Sequence, residues 1–240
     1  MAQLKRTKEP EISIIIPAHN EAAYIEKTLQ SLNQQTLKDF ETIVVANGCT
    51  DGTEDVVKKI YMKTPGQLRL FSLPEANVSR ARNYGAKKAN GQLLLFLDAD
   101  TLLEKDALEK MQRHFRGQHA IATTFVRPDK SLVKYRLAMA LKNAYHQLGL
   151  YHGCSGALLC RKKDFERVGG YDEIIVVKEH RRLILQLKKY GKFTCLPTTV
   201  TTSMRRFEKW GLWKAIRFWI AQGVKEYVGD LQKSRYETIR

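Results

Sequence analysis

The chain has 240 residues, 43% hydrophobic and 28% charged, which suits one large domain with its own core and excludes wholesale disorder. Lysine and arginine total 41 against 25 acids, a net charge of +16, and such a field attracts nucleic acid, anionic lipid surfaces or phosphorylated small molecules. No apolar run reaches the roughly eighteen residues of a spanning helix, the N-terminal MAQLKRTKEP lacks the apolar segment of a secretory signal, and the cysteines at 49, 154, 160 and 195 match no CxxC or zinc spacing. The expectation is a cytoplasmic protein with reduced thiols.

Strand and helix patterns alternate through the first hundred residues. EISIIIP (11–17) reads as a buried strand, and Asn20 is placed to cap the helix that follows, whose stripe is Ile25, Leu29 and Leu32. ETIVVA (41–46) is a second buried strand, and Gly48 and Gly52 serve the turn after it. That turn leads to a helix with Val56, Val57, Ile60 and Tyr61 inward. A strand over 68–73, a helix over 79–89 and a strand over 92–97 complete the series. Further on, the patterns predict a helix over 103–115, a strand over 120–126 and a long helix over 130–148. A strand over 157–161, a short helix closed by Gly169-Gly170 and a helix over 178–190 follow. The alternation predicts an α/β fold with a mostly parallel sheet flanked by helices. No linker composition divides the chain before about Ser203, so residues 1–203 are expected as one domain, with 1–100 and 101–203 as its two halves, and 204–240 as a basic helical tail.

Ligands of such sheets bind beyond the carboxyl ends of the strands. Three segments fall there: Pro17-Ala18-His19-Asn20-Glu21, Ala46-Asn47-Gly48 and Asp98-Ala99-Asp100. Two carboxylates at i and i+2, released by a buried strand, can converge on one divalent cation and leave it positions for phosphate oxygens. The same aspartates could instead cap a helix or open a turn.

The segments ISIIIPAHNE, IVVANGCTDGT and NVSRARNYGAKKANGQLLLFLDADT, in this order and spacing, resemble family 2 glycosyltransferases of the GT-A fold. The likeness continues more loosely through GALLCRKKDFERVGGYDE and KEHRRLILQLKKYGK. It implies a Rossmann-like GT-A domain that moves a sugar from a nucleotide diphosphate, with Mg²⁺ or Mn²⁺, to an acceptor hydroxyl or a lipid-linked phosphate.

Residue by residue, the resemblance places Pro17, His19 and Glu21 in the loop against the nucleoside, with His19 where the family carries an aromatic ring. Asn47 stands where the family has an Asp that receives the N–H of the base, and an amide oxygen can also accept that bond. Asp98-Ala99-Asp100 matches the D-x-D motif: Asp98 as the acid facing the ribose or a metal-bound water, Asp100 as the metal ligand. Arg80 and Arg82 fall near the nucleotide and are read either as ligands or as surface charge. The general base of the family comes from a Glu-Asp pair; here Glu179 matches the Glu and His180 replaces the Asp. Glu179 is expected as base, with a His180 substitution or a loss of activity as the alternatives, and with Asp172 and Glu173 as a further source. The loop Gly153-Cys154-Ser155-Gly156 corresponds to the stretch beneath the acceptor, or is a tight turn.

SMRRFEKWGLWK (203–214) loosely resembles the R-x-x-G-x-S-K segment of polyprenyl-phosphate sugar transferases, which makes Arg205 and Arg206 candidates to hold the leaving diphosphate. Beyond it, Leu212, Ile216, Trp219, Ile220, Val224 and Tyr227 repeat at helical spacing, with Lys214, Arg217 and Lys225 off that stripe. This pattern is expected either at an anionic membrane surface, on its inner face, or packed on the domain or a second subunit. Nucleic acid is not expected as a partner, and the oligomeric state is left open. Two rival readings remain: an inactive basic scaffold binding membrane or nucleic acid, and a nucleotidyltransferase. The first is opposed by the intact D-x-D, the second by the absence of a Gly-rich basic loop after the first strand.

Overall fold

The computed structural model describes residues 9–61, 68–149, 153, 154, 156–175, 177–211, 213–215, 217, 218, 221 and 222. The side chain of Tyr61, Ser155, and the tail positions Leu212, Ile216, Trp219, Ile220, Val224, Lys225 and Tyr227 lie outside the described residues.

The β-branched run of β1 (Ile12–Ala18) is buried along its whole length, as expected of a strand covered on both faces. It pairs in parallel with β2 (Phe40–Asn47) and β4 (Leu93–Leu97), and β2 pairs in parallel with β3 (Leu68–Leu73). Between these strands lie α1 (Ile25–Asn33), α2 (Thr53–Tyr61) and α3 (Val78–Lys88). After β4 come β5 (Thr101–Leu103), α4 (Ala107–His114), β6 (His119–Pro128), α5 (Val133–Gln147), β7 (Ala157–Arg161) and α6 (Lys162–Arg167). α7 (Glu179–Leu187), β8 (Lys192–Thr202) and α8 (Arg205–Trp210) follow. The eight strands among the described residues join one sheet, in the order β3-β2-β1-β4-β7-β6-β8-β5. β5 and β7 run against the rest.

The sheet separates two apolar layers. Ile14, Ile16, Leu95 and Leu97 point to the layer of α1, α4 and α5; Ile15, Val45, Leu94 and Phe96 point to the layer of α3, α6 and α7. The alternation of neighbouring residues between layers is the period-2 geometry of a strand.

The structure corrects three sequence expectations. Asn20 does not cap α1, whose N-terminus has Tyr24 at the cap without a side-chain bond; Asn20 instead takes a left-handed φ of 56° and accepts the Thr50 N–H at 2.7 Å. The helix expected over 103–115 begins only at Ala107, because Thr101–Leu103 is captured as an edge strand by β8. β8 itself was not expected. Its Pro197 removes a ladder donor, and the register with β6 jumps there, from Thr124↔Leu196 to Phe125↔Thr199. β8 delivers the chain to α8, and Met204 just before that helix and Phe207 within it join the first apolar layer.

Candidate active site

The carboxyl ends of β1, β2 and β4 converge with the N-termini of α7 and α8 on four carboxylates and two arginines. Strand β4 ends at Leu97 and releases Asp98, whose N–H donates to the Gly156 carbonyl at 2.9 Å. Ala99 is buried and its carbonyl accepts the Thr28 hydroxyl at 2.7 Å, which pins the turn. Gly156 takes φ +90°, and a Cβ there would lie 2.5 Å from Thr101 Oγ1, so the loop beneath the acidic turn demands glycine.

Each aspartate meets an arginine. Arg82, on α3, is buried and bridges Asp98 Oδ1 at 3.0 Å and Glu179 Oε1 at 2.8 Å. Burial opposes its charge, but Tyr171, Glu179 and Asp98 together hold its pKa above the ordinary arginine value. Arg205, from α8, donates to both oxygens of Glu21 at 2.7 Å and lies 2.9 Å from Asp100 Oδ2, with its guanidinium 4.4 Å over the Tyr24 ring. Burial pushes Asp100 up to about 6; Arg205 opposes this, while the Asp98 and Glu21 charges add to it. Arg205 is thus a cation already seated on the expected metal ligand. A carboxylate that holds a guanidinium in this pocket has the charge to hold a divalent ion in its place. Among the described residues, no three His, Cys, Asp or Glu side chains converge as a protein-only metal cage.

Glu179 opens α7, where its charge suits the helix dipole. The residue before it, Lys178, has a left-handed φ of 61°, and Asn20, before Glu21, has the same conformation. The described non-glycine residues with positive φ are these two, each next to a site carboxylate. His180 is held by its neighbours: its Nδ1 is 2.9 Å from the Tyr171 hydroxyl and its Nε2 is 3.5 Å from Glu179 Oε1. Burial, with Arg82 and Lys142 adding to it, pushes the His180 pKa well below the usual value. Asp172 and Glu173 turn away from this centre: Asp172 pairs with Arg182, and Glu173 with Arg80 and Asn83.

The nucleoside-side residues are built into the framework. Pro17 lies within β1. His19 Nδ1 is 2.8 Å from the Asn47 carbonyl. Asn47 is buried; its amide donates to the Ala18 carbonyl at 2.8 Å and its Oδ1 accepts the Asn77 N–H at 3.1 Å. The expected acceptor for a base therefore already ties β1 and β2 to the loop before α3. Arg82 is a strut between two acids rather than surface charge, whereas Arg80 is an exposed partner of Glu75 and Glu173. Arg206 lies over the Trp210 ring, 5.2 Å from its centroid. Three contributors went unnoticed in the sequence: Tyr171, which touches both His180 and Arg82; Tyr24, beneath Arg205; and Lys142, which donates to the Cys154 carbonyl at 3.1 Å. Tyr171 alone had a signal, being the aromatic of the GGYDE segment.

The sequence model of the family Glycosyl transferase family 2 matches residues 13–169. Chondroitin synthase of Pasteurella multocida (strain Pm70) is 35% identical over 129 residues, 52% of this chain and 13% of that protein. An uncharacterized glycosyltransferase of Rickettsia typhi, RT0329, is 29% identical over 185 residues, 70% of this chain and 56% of that protein. The chain thus spans a fraction of the length of these relatives. Among solved structures, the Pyrobaculum calidifontis mannosyltransferase PcManGT, in complex with GDP-Man and Mn²⁺, superposes with a TM-score of 0.75 at 19% identity, covering 96% of this chain and 67% of that one. The S. aureus TarS 1–349 complex with UDP gives 0.64 at 17% identity, covering 83% and 62%. These structures share the α/β GT-A architecture.

Proposed function

The chain belongs to glycosyl transferase family 2, and from that premise we propose that it transfers a sugar from a nucleotide-diphosphate donor, with Mg²⁺ or Mn²⁺ and with inversion, to an acceptor hydroxyl or a lipid-linked phosphate. The observation that carries this reading is the pairing, at the end of β4, of Asp98 with Glu179 across one Arg82 strut, with Asp100 beside it on Arg205.

Asp100, with Asp98 beside it, would hold the ion, which when bound neutralises charge on the leaving diphosphate. Arg205 would exchange Asp100 for a phosphate oxygen, keeping Glu21 as its anchor; a guanidinium pairs well with either. Pro17, His19 and Asn47 would border the nucleoside. Glu179 would take the acceptor proton as its oxygen attacks C1 from the side opposite the diphosphate. His180, held against Glu179 by the Tyr171 hydroxyl and kept neutral by burial, would orient Glu179 rather than replace it. If the acceptor is a phosphate, its oxygen is already ionised, and Glu179 would position rather than deprotonate it. We further propose residues 1–203 as the catalytic domain and 204–240 as a tail that brings it to an anionic membrane surface. Among the described residues, no helix is long and apolar enough to cross a membrane.

Calorimetric titration with UDP and GDP, with and without Mn²⁺, tests the nucleotide and metal roles. Wild type should bind one of them far more tightly with Mn²⁺, and Asp100→Ala should lose that dependence while keeping its circular dichroism. Equal Mn²⁺ dependence in the variant would refute the role of Asp100.

A further inference from the structure

Helix α5 is apolar on two faces, and among the described residues one of them is buried and the other exposed. Tyr135, Met139 and His146 point into the protein. Val133, Leu137, Leu141 and Leu148 form a second row, and they are exposed by 70, 66, 59 and 71%. Tyr145 extends it, and Ala140 and Ala144 are exposed along the same row. The spacing of three to four residues makes this one continuous stripe, about 22 Å long at 1.5 Å per residue. A helix with apolar residues all round is normally covered all round, and an exposed stripe of this size marks a contact surface.

The charge around the stripe identifies its partner. α5 contains no acidic residue, and Lys134 and Arg136 are exposed beside the stripe at its N-terminal end. α8 packs on this end, with Tyr135 and Phe207 ring centroids 6.1 Å apart, and the chain continues from α8 into exposed Lys214 and Trp213, the latter 78% exposed. An apolar row, flanking cations and a nearby indole form the pattern of a helix lying in a lipid interface. A second copy of this chain would bring the same cations against each other, on a body whose net charge is already +16. An anionic bilayer meets both the apolar and the charged parts of this surface.

We propose that α5 lies flat on an anionic membrane, with Leu137 and Leu141 entering the acyl boundary. This deepens the membrane reading given above for the tail, because it transfers the principal contact to a helix that borders the catalytic site. Lys142, on the inner side of α5, bonds the Cys154 carbonyl in the loop that leads to Gly156, and Gly156 in turn receives the Asp98 N–H. The docked helix would therefore hold the acceptor side of the site near the lipid headgroups.

The test is cosedimentation of the full chain with phosphatidylcholine vesicles, with and without phosphatidylglycerol, alongside sedimentation velocity without lipid. Wild type should be monomeric and should pellet with the anionic vesicles at low salt. Leu137→Asp/Leu141→Asp should weaken vesicle partitioning by roughly tenfold or more, with nucleotide binding and melting temperature retained; Leu137→Gln/Leu141→Gln serves if the acidic pair misfolds. Unchanged partitioning of the variants would overturn the proposal in favour of attachment through the tail. Absence of vesicle binding by wild type, or a wild-type dimer split by the variants, would also overturn it. Loss of vesicle binding in the variants from a chain that binds no nucleotide would sustain the surface and defeat the enzymatic reading alone.

Discussion

Arg82 and Arg205 divide the site carboxylates between them, and this division assigns different chemistry to similar residues. Glu21 is spent on Arg205 and anchors it; Asp100 shares that guanidinium; Glu179 and Asp98 share Arg82. Glu179→Gln keeps the shape and an oxygen for Arg82 while removing the proton acceptor. Transfer to a hydroxyl should fall by about two to four orders of magnitude, with nucleotide binding little changed, as measured by initial rates and calorimetry. An unchanged rate would remove Glu179 from the base role. His180 gives a pH signature. Its folded pKa lies well below the ordinary value, so below about pH 6.5 the unfolded chain takes up a proton that the folded chain refuses. Stability is therefore lost as pH falls through that range, by at most about 1.4 kcal/mol per pH unit. Urea unfolding from pH 7 downward should show a steeper loss in wild type than in His180→Gln; parallel curves would show that the ring is protonated in the fold. The residues behind these effects were partly legible. Asp98 and Asp100 were found by their position at a strand end, and Glu179 by the family resemblance. The Arg205 contacts were not, because they join residues 184 apart through a strand that Pro197 disguised.

At the scale of elements, close approach decides where glycine and proline stand. α3 lies across β1 and β2, and a Cβ on its Gly85 would meet Ile15 Cγ2 at 2.5 Å. Alanine is normally the better helix former by about 1 kcal/mol, but here overpacking should win, and Gly85→Ala should destabilise by about 1–3 kcal/mol. The cost should shrink in an Ile15→Ala background, where the clashing methyl is gone, and chemical denaturation of wild type, both single variants and the double variant measures the coupling. Stabilisation by Gly85→Ala alone would mean that α3 sits farther from the sheet. The helices and parallel strands of the first hundred residues were readable because each carries its own period. β5 was not, since a three-residue edge strand has no period and exists only because β8 pairs with it. Asn20 misled for a similar reason: it has the right chemistry for a cap, but Thr50 across the loop offers it a better partner.

Across the whole molecule, one sheet brings both parts of the sequence to one edge of chemistry. β1, β2 and β4 supply the first carboxylates and Asn47, while α7 and β8-α8 return Glu179 and Arg205 to the same place. The α/β class and the location of the site followed from the alternation of patterns and the strand-end rule. What did not follow was the closure of the site by ion pairs between distant segments, because pairing of charges over such separations leaves no local trace in sequence. The strong positive charge agrees with an anionic donor and an anionic surface, and these are separable in experiment. The central claim, sugar transfer from a nucleotide diphosphate, is tested most directly by measuring nucleotide release from a panel of UDP- and GDP-sugars with Mn²⁺, for wild type and Asp100→Ala side by side. Wild type should release nucleotide from at least one donor, stimulated by acceptor, and Asp100→Ala should release none above background. Release at equal rates from both proteins, or binding of nucleotide sugars by wild type with no turnover under any acceptor, would contradict it.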